Sequence, residues 1–188
     1  LNDGEWASIT SNTEETVPSI EVTIGDKIQF RGNNSQYATS YWECNSFSGS
    51  TALFEVEGNI MSLIYGDDFK NNLTINDYAF LGLFIECANL VSAENLILPA
   101  TTLADNCYQS MFYGCTSLTT APELPATTLT DGCYAGMFAG CTSLTAAPEL
   151  PATTLTNGCY QYMFQGCTSL TTAPSILPAT TLKEGCYS

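Results

Sequence analysis

A unit of 26 residues, repeated in tandem, limits the architectures open to this chain more than any other feature. Residues 107–132 and 133–158 are both 26 residues long and agree at 21 positions. Residues 159–185 form a third unit of 27 residues, with one extra residue near Ile176, and a partial unit occupies 186–188. A divergent copy, 79–106, comes first. There Leu83 and Phe84 replace the Met-Phe pair, Cys87 keeps the second cysteine, and Leu98 to Leu103 match fully. A unit this short buries its apolar face only against its neighbours, so tandem copies predict a solenoid.

Within a unit, Cys107, Met111 and Cys115 stand four apart with Tyr108 and Phe112 beside them. That spacing predicts a helical stripe of about two turns, ended by Gly114. Asp105, Asp131 and Asn157 lie just upstream, where a short polar side chain caps a helix N-terminus. Leu118 to Ala121 reads as a short strand stopped by Pro122, and Leu124 to Leu129 as a second extended segment. The expectation is an α+β repeat protein: a leucine-rich-repeat solenoid with one short strand and one short helix per 26-residue repeat.

The motif Met-Phe-x-Gly-Cys-Thr-Ser-Leu-Thr followed by Leu-Pro resembles the BspA-like leucine-rich repeats of bacterial surface proteins, over residues 79–188. Met111, Met137 and Met163 stand where that family has alanine, and Ala121, Ala147 and Ala173 where it has isoleucine. The resemblance implies a secreted protein of the bacterial cell surface that makes adhesive contacts with host or neighbouring-cell molecules. It carries over no catalytic residue, because the family motif contains none.

Residues 1–60 alternate without helical periodicity and are expected to form a small all-β N-terminal capping domain, with the solenoid running over 61–188. Trp6 to Ile9 reads as a hairpin arm after the turn signal Asn2-Asp3-Gly4. Ile20 to Ile24 and Lys27 to Arg31 read as a second hairpin about Gly25-Asp26, and Leu53 to Glu57 as a strand. Asn59 to Tyr65 is expected to continue into the first rung, and Asn33 to Ser50 to form a surface loop.

Charge and composition exclude several functions. The 19 acidic residues face only Lys27, Arg31, Lys70 and Lys183, a net −15, which repels nucleic acids and anionic membranes. No apolar run reaches the roughly 20 residues of a membrane span. No histidine is present, so the commonest general base and metal ligand is missing. The chain opens on Leu1 without a basic and apolar leader, as expected of a piece of a longer product whose signal and anchor lie elsewhere.

The chemical candidates are few. Nine cysteines invite a disulfide framework. Cys107 and Cys115, however, would lie roughly 12 Å apart on a helix, beyond the ~7 Å that a bridge tolerates. Equivalent cysteines of successive repeats would be separated by a helix diameter, so the expectation is a ladder of buried structural thiols. Asp67, Asp68, Asn71, Asn72 and Asp77 form an oxygen-rich loop without the alternation of a calcium loop, and read as a solvated turn. No pair of carboxylates is spaced for glycoside hydrolysis, and no base stands ready for a Ser or Cys nucleophile. No catalytic residue, cofactor or metal is expected.

What remains is surface. Thr119, Thr145 and Thr171 recur as a stripe on the strand layer, with Glu123 and Glu149 (then Ser175) as an acidic edge beside it. These are the candidate ligand contacts, although threonine there also has high strand propensity. The expected function is non-enzymatic binding or adhesion to an extracellular protein or glycan. One alternative is a carbohydrate-binding module using Trp6, Tyr37, Tyr41 and Trp42; another is a structural stalk. The apolar end of the repeat at 159–185 is expected either to continue into a longer solenoid or to be covered by end-to-end self-association through Leu170, Leu177, Leu182 and Tyr187.

Overall fold

The computed structural model describes residues 20–34, 37–40, 43–44, 46–47 and 51–188. Two compact units divide the chain, Leu1–Phe30 and Arg31–Ser188. In the first, the described residues make one turn. Asp26 donates its N–H to Thr23 O at 3.1 Å, and its carboxylate accepts the Thr23 N–H at 2.8 Å and hydroxyl at 3.0 Å. The turn is where the sequence places it, but residues 20–24 and 27–31 do not pair as strands. Ile20, Val22 and Ile24 are exposed, so no buried apolar face among the described residues holds two strands together. The expected arm at Trp6 to Ile9 lies outside the described residues.

In the second unit the repeats lie in register, one layer on the next. Strand β1 (Ala38–Ser40) pairs antiparallel with β2 (Glu43–Cys44). Strands β3 (Phe54–Glu55) and β4 (Gly58–Asn59) pair parallel with β5 (Leu90–Ser92) and β6 (Leu96–Ile97). Helix α1 (Ser62–Tyr65) and a 3₁₀-helix (Gly66–Asn71) intervene in the chain after β4. Later layers continue the parallel pairing through single bridges, Ser92 with Thr120, Thr102 with Thr128, Thr128 with Thr154, and Ala146 with Thr172.

The domain boundary expected at residue 60 falls inside this unit. Tyr37, Phe47, Phe54 and Ile60 donate their N–H groups to Ala79, Leu83, Asn89 and Ile97, so the described residues among 37–60 form an added layer on the repeat at 79–106. The Asn33 to Ser50 stretch, expected as a surface loop, supplies part-buried Tyr37 and Phe47, which stack on Phe80 and Phe84 at 6.2 and 5.6 Å. The reason is the parallel ladder itself, whose first repeat has backbone groups that need partners.

The largest departure from the sequence reading is the helix, for no α-helix forms at 107–114. Cys107, Gln109, Met111, Tyr113 and Cys115 each donate N–H to the carbonyl three residues back. Asn106, Tyr108, Ser110, Phe112 and Gly114 donate instead to Asp131, Cys133, Ala135, Met137 and Ala139 of the next repeat. Every fourth residue (Asn106, Ser110, Gly114, then Gly132, Gly136, Gly140) has positive φ, as at the third position of a type II turn. Gly140 suits its place: its φ is 76° and an added Cβ would meet the Gly114 backbone at 3.5 Å. The physical cause is layer thickness. Packed helices stand about 8–10 Å apart, whereas parallel strands stand about 4.8 Å apart. Rings of successive repeats here stack at 5.5 to 5.8 Å, so this side rises with the strand side and has no room for a helix.

Two aromatic columns fill the interior. Phe80, Tyr108, Tyr134, Tyr160 and Tyr187 form one. Phe84, Phe112, Phe138 and Phe164 form the other, with Phe112 and Phe138 tilted by only 2°. Leu90, Leu118 and Leu144 are fully buried beside them, while Leu170 is half-buried and Leu177 and Leu182 are exposed.

The described cysteines make two further columns, all free thiols. Cys115, Cys141 and Cys167 donate S–H to the carbonyls of Phe84, Phe112 and Phe138 at 3.0, 3.1 and 3.0 Å, and Cys87 does the same to Phe47. Cys107, Cys133, Cys159 and Cys186 form the second column. Their layers are separated by a backbone ladder, so the helix-diameter spacing expected between equivalent cysteines is corrected to the spacing of paired strands.

Candidate binding surface

The threonine stripe of the sequence exists and is exposed. Thr119 donates both its N–H and its hydroxyl to Val91 O, at 3.0 and 2.9 Å. Thr171 does the same to Thr145 O, at 3.0 and 3.3 Å. In this column the hydroxyl protons of Thr119 and Thr171 are used along the stack, which leaves those oxygens as hydrogen-bond acceptors for a ligand.

The acidic edge separates into two residues with different tasks. The Glu149 carboxylate accepts the Ser175 N–H at 2.9 and 3.1 Å and its hydroxyl at 2.8 Å. Those bonds, the backbone N–H first, hold its carboxyl below the usual carboxylate range. Glu149 therefore ties one layer to the next. Glu123 is exposed and has no such bond among the described residues, so it is the freer carboxylate for an incoming ligand.

A second threonine column was not singled out in the sequence. Thr102, Thr128 and Thr154 are exposed and joined by parallel backbone bridges, and their hydroxyls hold no hydrogen bond among the described residues. The signal for it was present: Ala-Thr-Thr-Leu recurs unchanged at 100–103, 126–129, 152–155 and 179–182. An open depression of ≈ 400 Å³ adds an aromatic feature near the exposed layer, lined by Tyr160, Tyr162, Phe164 and Tyr187 among others.

The other candidates disperse. Asp67 is held by Arg31, whose Nη1 lies 2.6 and 2.7 Å from the two carboxylate oxygens. Asp77 accepts the Asp105 N–H at 3.0 Å, and Asn72 bonds to the Asp68 carbonyl. The oxygen-rich loop thus does not converge, and among the described residues no three acidic or cysteine side chains gather as a metal site. Tyr37 packs on Phe80 and donates its hydroxyl to Leu63 O at 2.9 Å, which removes it as a sugar platform. Trp6, Tyr41 and Trp42 lie outside the described residues. Seven of the eight described free thiols are buried, Cys167 being intermediate, and burial raises Cys133 and Cys141 to about 12.

Comparison of the chain with protein-family models, with curated proteins and with solved structures gives no match.

Proposed function

We propose that this chain is a binding segment of a bacterial cell-surface protein. In this reading it is a leucine-rich-repeat solenoid of the BspA-like kind, with turn stacks in place of helices, working without catalysis. The observation that carries the reading is the pair of exposed threonine columns, Thr102–Thr128–Thr154 and Thr119–Thr145–Thr171. A regular array held by backbone pairing presents hydroxyl groups with little conformational freedom to lose, which favours recognition of an extended polar partner. Exposed Leu177 and Leu182 are where two copies would meet end to end.

The test is binding of the protein to immobilised extracellular-matrix proteins and to a glycan array. Protein binding weakened by Thr128→Lys and Thr154→Lys supports the reading. Glycan binding alone would favour the carbohydrate alternative, and binding to neither would leave a stalk. Light scattering over a concentration series separates self-association from ligand capture.

A further inference from the structure

We propose that Cys159 and Cys186 are a site of disulfide formation, a covalent staple between the repeat at 159–185 and the segment that follows it. Two geometric observations converge. First, the two residues occupy the same position in adjacent layers, and Tyr160, next to Cys159, donates its N–H to the Cys186 carbonyl at 3.1 Å. Such a parallel pairing sets Cα atoms about 4.8 Å apart, inside the roughly 4.4–6.8 Å range that disulfides use. Second, the neighbouring rings of Tyr160 and Tyr187 stack at 5.6 Å with 8° between their planes, so the two layers are in register on this side. Beside this geometry, Cys186 is near enough to be one of the groups that raise Cys159, after burial itself.

The two cysteine columns differ in what oxidation would break. In the column Cys87, Cys115, Cys141 and Cys167, every thiol donates to a carbonyl of the preceding layer, and a disulfide there would strand those donations. In the other column, Cys186 Sγ accepts the Lys183 N–H at 3.3 Å, a role that survives loss of the sulfur's proton. Among the described residues no S–H donation is made by Cys159 or Cys186. Within that column Cys133 donates its S–H to the Cys159 carbonyl at 3.9 Å, so among the described residues Cys159 and Cys186 are the adjacent pair in which neither thiol donates. Cys107, Cys133 and Cys159 are all fully buried, and Cys186 is buried as well. Cys159 is covered by the segment 181–188, where Thr181, Leu182, Lys183 and Glu184 are exposed. Local opening of so lightly packed a segment uncovers both thiols.

The oxidant is a small disulfide such as oxidised glutathione. The Cys186 thiolate attacks one glutathione sulfur, and reduced glutathione leaves with the electron pair of the broken S–S bond. The Cys159 thiolate then attacks Cys186 Sγ, the Sγ–Sγ bond forms, and the second glutathione leaves. Two protons and two electrons pass from the cysteine pair to the oxidant.

The experiment treats the folded chain with oxidised glutathione, digests it without reductant, and maps linked peptides by mass spectrometry. The expected result is a peptide pair joined through Cys159 and Cys186, two hydrogens lighter than the reduced pair, with the other described cysteines still free. Hydrogen exchange of the Tyr160 amide should slow in the oxidised form. Cys186→Ser should abolish the link, while Cys167→Ser, in the other column, should retain it. Glutathione held on Cys186 with no bridge, links within the other column, or no reaction under conditions that oxidise the denatured chain would each overturn the proposal.

Discussion

Asn157 donates its backbone N–H to Asp131 Oδ1 at 3.0 Å, across the boundary between two repeats. The relation recurs, with Asp131 donating to Asp105 Oδ1 at 3.2 Å and Asp105 to Asp77 Oδ1 at 3.0 Å. Each carboxylate thus caps the layer that follows it, where the local sequence predicts a cap on a helix of its own. Asp131→Ala should lower stability by about 1 kcal/mol, the usual net worth of one such bond. Asp131→Asn keeps the oxygen acceptor and should lose well under half of that. Urea titration of both variants checks it, and equal losses would show that the charge matters more than the bond.

Phe138 is fully buried and stacked between Phe112 and Phe164 at 5.5 and 5.8 Å. Phe138→Ala should cost roughly 3–5 kcal/mol, because the neighbours are held by backbone ladders and cannot collapse into the space. Coupling between adjacent layers should also broaden the unfolding transition. A cost below about 1 kcal/mol would contradict this packing.

Ser110 has a φ of 52° at a position that Gly82 and Gly136 occupy in the neighbouring repeats. A left-handed conformation costs a side-chain-bearing residue roughly 1–2 kcal/mol. Glycine gives back about 0.4–1 kcal/mol of that through a freer unfolded chain. Ser110→Gly should therefore raise stability by about 0.5 kcal/mol, and Gly136→Ala, with φ 60°, should lower it. Thermal unfolding of the two variants gives the signs; a stabilised Gly136→Ala would rule out the turn geometry.

The depressed Glu149 carboxyl makes a pH prediction. Its folded value lies below the ordinary 4.5, because Ser175 donates to the ionised form. Its contribution is therefore complete above that ordinary value and is lost as pH falls through the lower folded one. Glu149→Gln should flatten that part of the acid limb and leave the neutral region nearly unchanged. Denaturant midpoints measured from neutral pH down to about pH 2 test the difference, and identical acid limbs would refute the linkage.

Repeat phase and inward positions were legible in the sequence, because burial repeats with the unit. Tyr108, Met111, Phe112, Cys115 and Leu118, and their equivalents Tyr134, Met137, Phe138, Cys141 and Leu144, are the buried residues that exact recurrence marks out. The apolar spacing of four between Cys107, Met111 and Cys115 suits an α-helix, and it suits a chain of four-residue turns equally well. Nothing local separates the two. Tertiary structure decided it, since layers paired at strand spacing on one side must rise by the same amount on the other. The same constraint turned Asp105 and Asp131 toward the next repeat and drew Tyr37, Phe47, Phe54 and Ile60 onto the stack. Identity along the chain determined which residues lie inside; the distance between layers determined what backbone carries them there.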